Sequence, residues 1–185
     1  LNDAPFFVSH RLSLAVAARD AGFDVHIAVA YDVGAVAIIE AAGIIHHDIP
    51  LKRGARGPFG ELRLIGCLAR LIRALRPDIV HTVTMKPVIY GGGLARLLKV
   101  PAVINAVTGL GYLFLIEGTL ARLQRSIIKR FYKFALGHPN GRAIFQNPDD
   151  LSLFLVGHLV DQNKSIIIKG TGVDLDKFRV LPEPP

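Results

Sequence analysis

The residues best suited to chemistry in this chain follow predicted strands. Lys86 comes shortly after a strand that ends at Val83, so its ammonium group could face a phosphate, although a solvated lysine fits equally well. Gly109 follows another strand, and its loop could bring backbone N–H groups to a phosphate or sugar, or serve only the turn. His10 lies in the first turn of a predicted helix, where contact with a ligand and a purely structural position are equally compatible with the sequence.

Other polar motifs have a stronger structural interpretation. The run from Asn147 to Asp150 combines an N-cap residue, a proline and two acids, which indicates a helix start before it indicates catalysis. Gly91–Gly93 lie in a helix-like segment, which favours close helix packing over phosphate contact. His46 and His47 would point to opposite faces of a strand, and Cys67 is the only cysteine. We therefore expect no metal site.

Short apolar strands alternate with helical stretches along the chain. The predicted strands are 23–30, 44–49, 78–83, 101–107, 143–146 and 164–169, and the predicted helices are 9–21, 33–42, 59–75, 87–98, 119–136 and one from 148. This alternation predicts an α/β, Rossmann-like, doubly wound parallel sheet covered by helices on both faces. Ligands of such sheets bind at the carboxyl ends of the strands. The predicted edge segments are 2–7, 30–32, 82–86, 108–111, 146–147 and 170–174.

Both ends of the sequence lead to expectations about domains. The chain opens in what should be the loop after a first strand, so we expect that strand to be missing. Residues 1–178 are predicted to form one Rossmann-like domain. The proline-rich segment 179–185 is predicted to be a linker toward an absent C-terminal domain.

The formal net charge of +7 suits a phosphorylated substrate, an anionic membrane or nucleic acid. No zinc finger or RNA-binding aromatic motif supports nucleic acid. Residues 59–76 and 120–136 form two basic amphipathic patterns. Such helices can lie on an anionic bilayer or pack on the sheet as ordinary surface helices, and the sequence leaves both alternatives open.

Several motifs together resemble the family-four glycosyltransferases of the GT-B fold. The segments that carry this resemblance are 10–15, 21–26, 77–82, 86–91, 105–114, 145–150 and 170–178. The segments 105–114 and 145–150 resemble the branch that builds bacterial surface polysaccharides, such as lipopolysaccharide, and lipid-linked oligosaccharides. The resemblance implies the N-terminal, acceptor-side domain of a two-domain retaining enzyme. In that family the C-terminal domain binds most of the nucleotide-sugar and carries a paired-glutamate motif.

The site residues expected from the resemblance and from the edge rule fall into two groups. The acceptor or substrate group is Phe7, His10, Lys86, Thr108, Gly109 and Asn147, and the donor-side group is Gly170 and Gly172. Many relatives have a histidine where this chain has Thr108, so no imidazole is available there as a general base. The catalytic residues stay unassigned.

The expected function is that of a glycosyltransferase. The full-length protein would transfer a sugar from a nucleotide-sugar co-substrate to a lipid-diphosphate-linked glycan, and no cofactor and no metal are expected. This chain alone is expected to be inactive. The expected location is cytoplasmic, with peripheral contact at the inner face of the plasma membrane. The alternatives are a non-catalytic nucleotide- or phosphate-binding Rossmann module and a peripheral membrane adaptor.

Overall fold

A computed structural model describes residues 3–50, 57–109 and 119–172. The strands are β1 (His26–Val29), β2 (Ile45–Asp48), β3 (Ile79–Val83), β4 (Ala102–Val107), β5 (Gly141–Phe145) and β6 (Ser165–Ile167). The α-helices are α1 (Ala4–His10), α2 (Leu12–Asp20), α3 (Val33–Ala41), α4 (Pro58–Leu75), α5 (Met85–Pro87), α6 (Gly93–Leu97), α7 (Thr119–Leu136) and α8 (Pro148–Val156). A π-helical turn, Val88–Gly92, joins α5 to α6, and a 3-10 turn, Gln162–Lys164, precedes β6.

All strand pairs in the described part of the chain are parallel, as predicted. They form a two-stranded sheet, β1-β2, and a four-stranded sheet, β3-β4-β5-β6, where the sequence predicts one continuous sheet. A cleft of about 380 Å³ separates β1 from β3, with apolar side chains of α4 along one wall. The missing first strand stays a prediction.

Of four hydrophobic clusters among the described residues, the two largest hold the sheets to their helices. Tyr132 and Phe145 are both fully buried, and each meets the ring of Phe154 edge-on at centroid distances of 5.0 and 5.2 Å. These contacts fix α7 and α8 against β5, because edge-to-face rings add to the stabilisation that burial provides. The second cluster packs α1 and α3 against β1, around Phe7, Val29 and Ile39.

Local sequence signals place several helix starts correctly. The Asp32 carboxylate accepts from the Ala35 amide at 2.9 Å, and the Asn147 side chain accepts from the Asp150 amide at 2.7 Å. Both are N-cap hydrogen bonds, which satisfy amides that the helix itself leaves unpaired. The helix-start interpretation of Asn147 is therefore confirmed.

The predicted helix 9–21 is wrong in its bounds. Two helices, α1 and α2, cover this region, and they meet at Arg11, whose φ of −135° and ψ of −10° leave the helical range. Asp3 caps α1 and Pro5 stands in its first turn, so most of the segment 2–7 is helical and is not the expected loop. His10 accordingly ends α1 instead of opening a helix.

The close packing predicted for the glycines at 91–93 is present at Gly91 and Gly92, whereas Gly93 has only an ordinary contact with Phe134 of α7. A Cβ on Gly91 would lie 3.0 Å from Thr82 Cγ2, and a Cβ on Gly92 would lie 2.6 Å from Asn105 Oδ1. Both distances are shorter than the usual contact distances of a Cβ atom. The π-helical turn therefore approaches β3 and β4 as closely as it does because these two residues lack a side chain.

Two basic helices expose apolar side chains. On α7 the exposed large apolar residues are Leu123, Ile127, Phe131 and Phe134, and on α4 they are Phe59 and Leu62. Among the residues that the structure describes, no helix has both the length and the apolar character needed to cross a bilayer.

Candidate functional site

The carboxyl ends of β3 to β6 lie along one edge of the four-stranded sheet. The register pairs Val83 with Ala106, Val107 with Phe145, and Phe145 with Ile167. The residues that follow these strands therefore lie along the same edge. They are Thr84 to Lys86 after β3, Thr108 and Gly109 after β4, Gln146 and Asn147 after β5, and Gly170 and Gly172 after β6.

Lys86 lies in α5, the single helical turn just after β3. Its Nζ donates to Glu61 Oε1 of α4 at 2.6 Å, and the two side chains are 39% and 25% exposed. The pair is thus half-buried, with the Lys86 side chain the more exposed of the two. The structure places the predicted cation at the predicted edge, where it already has a carboxylate partner.

Tyr90, in the π-helical turn, completes this group. Burial alone would raise the pKa of Glu61, but the hydrogen bond from Lys86 and the nearby Tyr90 hydroxyl outweigh it and lower that pKa overall. Burial, with the Glu61 carboxylate beside it, raises the pKa of Tyr90 to about 12. At neutral pH the group therefore contains one cation, one anion and one protonated phenol.

Thr84 connects β3 to the turn that carries Lys86, and the backbone of Thr84 is strained. Its φ of 74° lies in the region that favours glycine, and its Oγ1 is buried with no hydrogen-bond partner among the described residues. The Thr84 amide donates to the Ala106 carbonyl at 3.2 Å, which fixes the strained residue to β4. Strain of this kind concentrates at functional sites, which supports this edge as the site.

His81 of β3 lines the cleft between the sheets. Although part of the side chain is exposed, the protein around it desolvates the ring, and this effect with the charge of Arg11 lowers the pKa of His81 to about 4. Burial also lowers the pKa of Arg11, and its Nε is buried with no hydrogen-bond partner among the described residues. The imidazole is therefore neutral at physiological pH.

The structure does not bring all the predicted site residues to the edge. Phe7 is buried in the core around β1. His10 is exposed at the end of α1, where its ring stacks on Phe6 at 4.3 Å and its Nδ1 lies 2.6 Å from the Ser9 hydroxyl. Asn147 does lie at the edge, but its side chain caps α8. The role of each in binding stays a prediction.

Sequence reasoning missed Glu61 and Tyr90. Glu61 is the one acidic residue in the first turn of a basic helix, and its contact with Lys86 spans 25 positions in the chain. No local pattern encodes such a contact. Gly111, which belongs to the predicted loop after β4, and the linker 179–185 lie outside the described residues.

Three histidines lie on β1 and β2. His26 Nδ1 lies 2.8 Å from His47 Nε2, and His26 Nε2 lies 3.2 Å from Asp24 Oδ2, while His46 reaches the carbonyl of Val29. Burial first, and then the neighbouring imidazoles, lower the pKa of His47. In the described ranges no three His, Cys, Asp or Glu side chains are arranged to hold a metal ion.

A match to a known sequence family defines the class of this protein. The chain belongs to the family described as glycosyl transferase 4-like, whose sequence model matches residues 2–136. This confirms the resemblance, and the chain is a glycosyltransferase-family domain.

Individual relatives agree with that family. The chain is 29% identical over 127 residues to N,N'-diacetylbacillosaminyl-diphospho-undecaprenol alpha-1,3-N-acetylgalactosaminyltransferase of Campylobacter jejuni, a match that covers 69% of this chain and 33% of that protein. The fold resembles a glycosyltransferase from Rickettsia africae (TM-score 0.62, 20% identity, 91% of this chain and 40% of that one). It also resembles MurG of Acinetobacter baumannii (TM-score 0.52, 17% identity, 90% and 42%). The chain thus spans about a third of the curated relative.

Proposed function

We propose that this chain is the acceptor-side domain of a retaining glycosyltransferase that acts on a lipid-diphosphate-linked glycan. The observation that carries the proposal is Lys86, a solvent-accessible cation at the carboxyl edge of the parallel sheet. Ligands of doubly wound sheets bind at this edge, and an ammonium group there suits a phosphate. The name of the Campylobacter relative, whose acceptor is a diphospho-undecaprenol, supports the same acceptor class.

The donor is a nucleotide-sugar held mainly by a second domain of the full-length protein. The family membership supports this division, and Gly170 and Gly172, after the last strand, are the residues of this chain on the donor side. Their φ values of 72° and 81° make a tight turn that a side chain would strain. Stabilisation of the leaving diphosphate falls to backbone N–H groups and cations, largely from the second domain.

Peripheral contact with an anionic membrane is part of the proposal. The exposed apolar residues of α7 recur every three or four positions, and exposed cations at Arg122, Arg130 and Lys133 run beside them. Two interactions hold an interfacial helix on a bilayer. Its apolar side chains insert into the lipid, and its cations face the lipid phosphates. An acceptor anchored in the inner face of the plasma membrane would then lie within reach.

Transfer of sugar tests the proposal directly. The purified full-length protein is incubated with a panel of nucleotide-sugars and a polyprenyl-diphosphate-linked sugar, and the product is measured by mass spectrometry. Addition of one hexose or acetylated hexosamine to the lipid-linked acceptor is the expected result. Tight nucleotide or phosphate binding without transfer to any acceptor would favour the non-catalytic alternative.

A further inference from the structure

We infer that Glu61 is an internal counter-ion that occupies, in the unliganded protein, the position on Lys86 that an acceptor phosphate takes. The carboxylate thereby lowers the affinity of this edge for phosphate groups and selects those with high charge. This inference rests on the proposed function, because it names the group with which the acceptor competes.

The contact geometry supports competition. Lys86 Nζ donates to Glu61 Oε1 at 2.6 Å, which makes this a short, charge-assisted hydrogen bond. The Lys86 side chain is 39% exposed, so an incoming anion can reach the ammonium group from solvent. A lysine has no fixed fork of donors with which to hold two anions in a planar, bidentate way. The ammonium group has three N–H donors, so a phosphate can either replace the carboxylate or bind next to it. In both cases the phosphate must approach the Glu61 carboxylate closely.

Electrostatics make the competition costly for the ligand. Two anions a few ångströms apart near a protein surface repel each other by about 1–4 kcal/mol, depending on how far solvent screens them. Glu61 is only 25% exposed, which limits that screening. Its second oxygen, Oε2, is buried, so solvent does not screen it directly.

The structure also provides a second hydrogen-bond donor for the displaced carboxylate. The Tyr90 hydroxyl already helps to lower the pKa of Glu61 through a hydrogen bond and stays protonated at neutral pH, so it remains a donor to the carboxylate when Lys86 turns to the ligand. A diphosphate, with more charge than a carboxylate, can displace Glu61 in this way. A singly charged anion cannot match the attraction that Glu61 already provides.

The test compares three forms of the full-length protein by isothermal titration with inorganic pyrophosphate and, separately, with a polyprenyl-diphosphate-linked sugar in detergent. Glu61→Gln keeps the shape and an oxygen acceptor for Lys86 but removes the charge. We expect it to tighten pyrophosphate binding by about tenfold over wild type. The matched control is Glu40→Gln, which removes an exposed carboxylate from α3, away from Lys86, and should bind as wild type does.

The two ligands separate this inference from the proposed function. Tighter binding of both ligands by Glu61→Gln supports both. Tighter binding of pyrophosphate alone supports the internal counter-ion and counts against the lipid-linked acceptor. If Glu61→Gln binds both ligands as wild type does while Lys86→Ala loses them, the acceptor assignment holds and the inference is overturned. Weaker binding by Glu61→Gln also overturns it, because the carboxylate would then help to build the site.

Discussion

Thr82 donates its hydroxyl to Asn105 Oδ1 at 2.7 Å, and both side chains are almost completely buried. The bond joins β3 to β4 close to the candidate site, one residue before β3 ends and two residues before β4 ends. A buried amide oxygen without a donor is costly, so this pair fixes the spacing of the two strands. The π-helical turn rests directly on it, with Gly92 against the same oxygen.

A side chain at Gly92 should destabilise the protein. The added Cβ of Gly92→Ala would lie 2.6 Å from Asn105 Oδ1, so the amide or the turn must move. We expect a loss of about 1–3 kcal/mol in the free energy of unfolding, measured by urea denaturation. Gly93→Ala is the control, because its Cβ would lie 3.7 Å from the Phe134 ring, an ordinary contact. Equal losses in the two variants would show that close packing is not the reason for glycine at 92.

His81 should make the protein sensitive to mild acid. Burial in the cleft, and then the charge of Arg11, lower its pKa from 6.5 to about 4. The unfolded chain therefore takes up a proton between pH 6.5 and 4 that the folded protein does not, and stability falls as the pH falls through that range. His81→Gln should lose less stability between pH 7 and 5 than wild type does, in urea denaturation at both pH values. His158→Asn, at an exposed histidine, serves as control. An unchanged pH dependence in His81→Gln would contradict the desolvated imidazole.

Membrane contact through α7 predicts a salt-dependent association with anionic vesicles. Attraction to lipid phosphates is screened within about 10 Å at 0.1 M salt, so binding in a flotation assay should fall as salt rises. Phe131→Ser should weaken it further. Leu153→Ser on α8 is the matched control, since the two side chains are 53% and 55% exposed. Vesicle binding that does not change with salt concentration, or an equal effect of both substitutions, would argue against α7 as the membrane-binding surface.

The sequence predicts the alternation of strands and helices because each element carries its own local signal. Asp32 and Asn147 cap helices by contacts within three residues. Glycines inside a helical pattern indicate the close packing that Gly91 and Gly92 show. The same kind of signal was available at Asp3 and Pro5, where the predicted loop is in fact α1.

What the sequence does not predict depends on contacts between distant elements. Nothing near Glu61 indicates that it faces Lys86, and nothing near Thr82 indicates the buried bond to Asn105. The division into two sheets is equally hidden, because the patterns of β1 and β3 show that each is a strand but not which edges pair. The family resemblance supplied the class of protein that these elements alone leave open.

The most direct test of the acceptor-side assignment is the Lys86→Ala change in the full-length protein. Binding of the lipid-diphosphate-linked acceptor and of the nucleotide-sugar is titrated separately, with Arg73→Ala as a control that removes an exposed charge of α4. We expect Lys86→Ala to weaken acceptor binding by about tenfold or more and to leave donor binding within about twofold of wild type. Equal loss of both affinities, or an unchanged affinity for the acceptor, would contradict it.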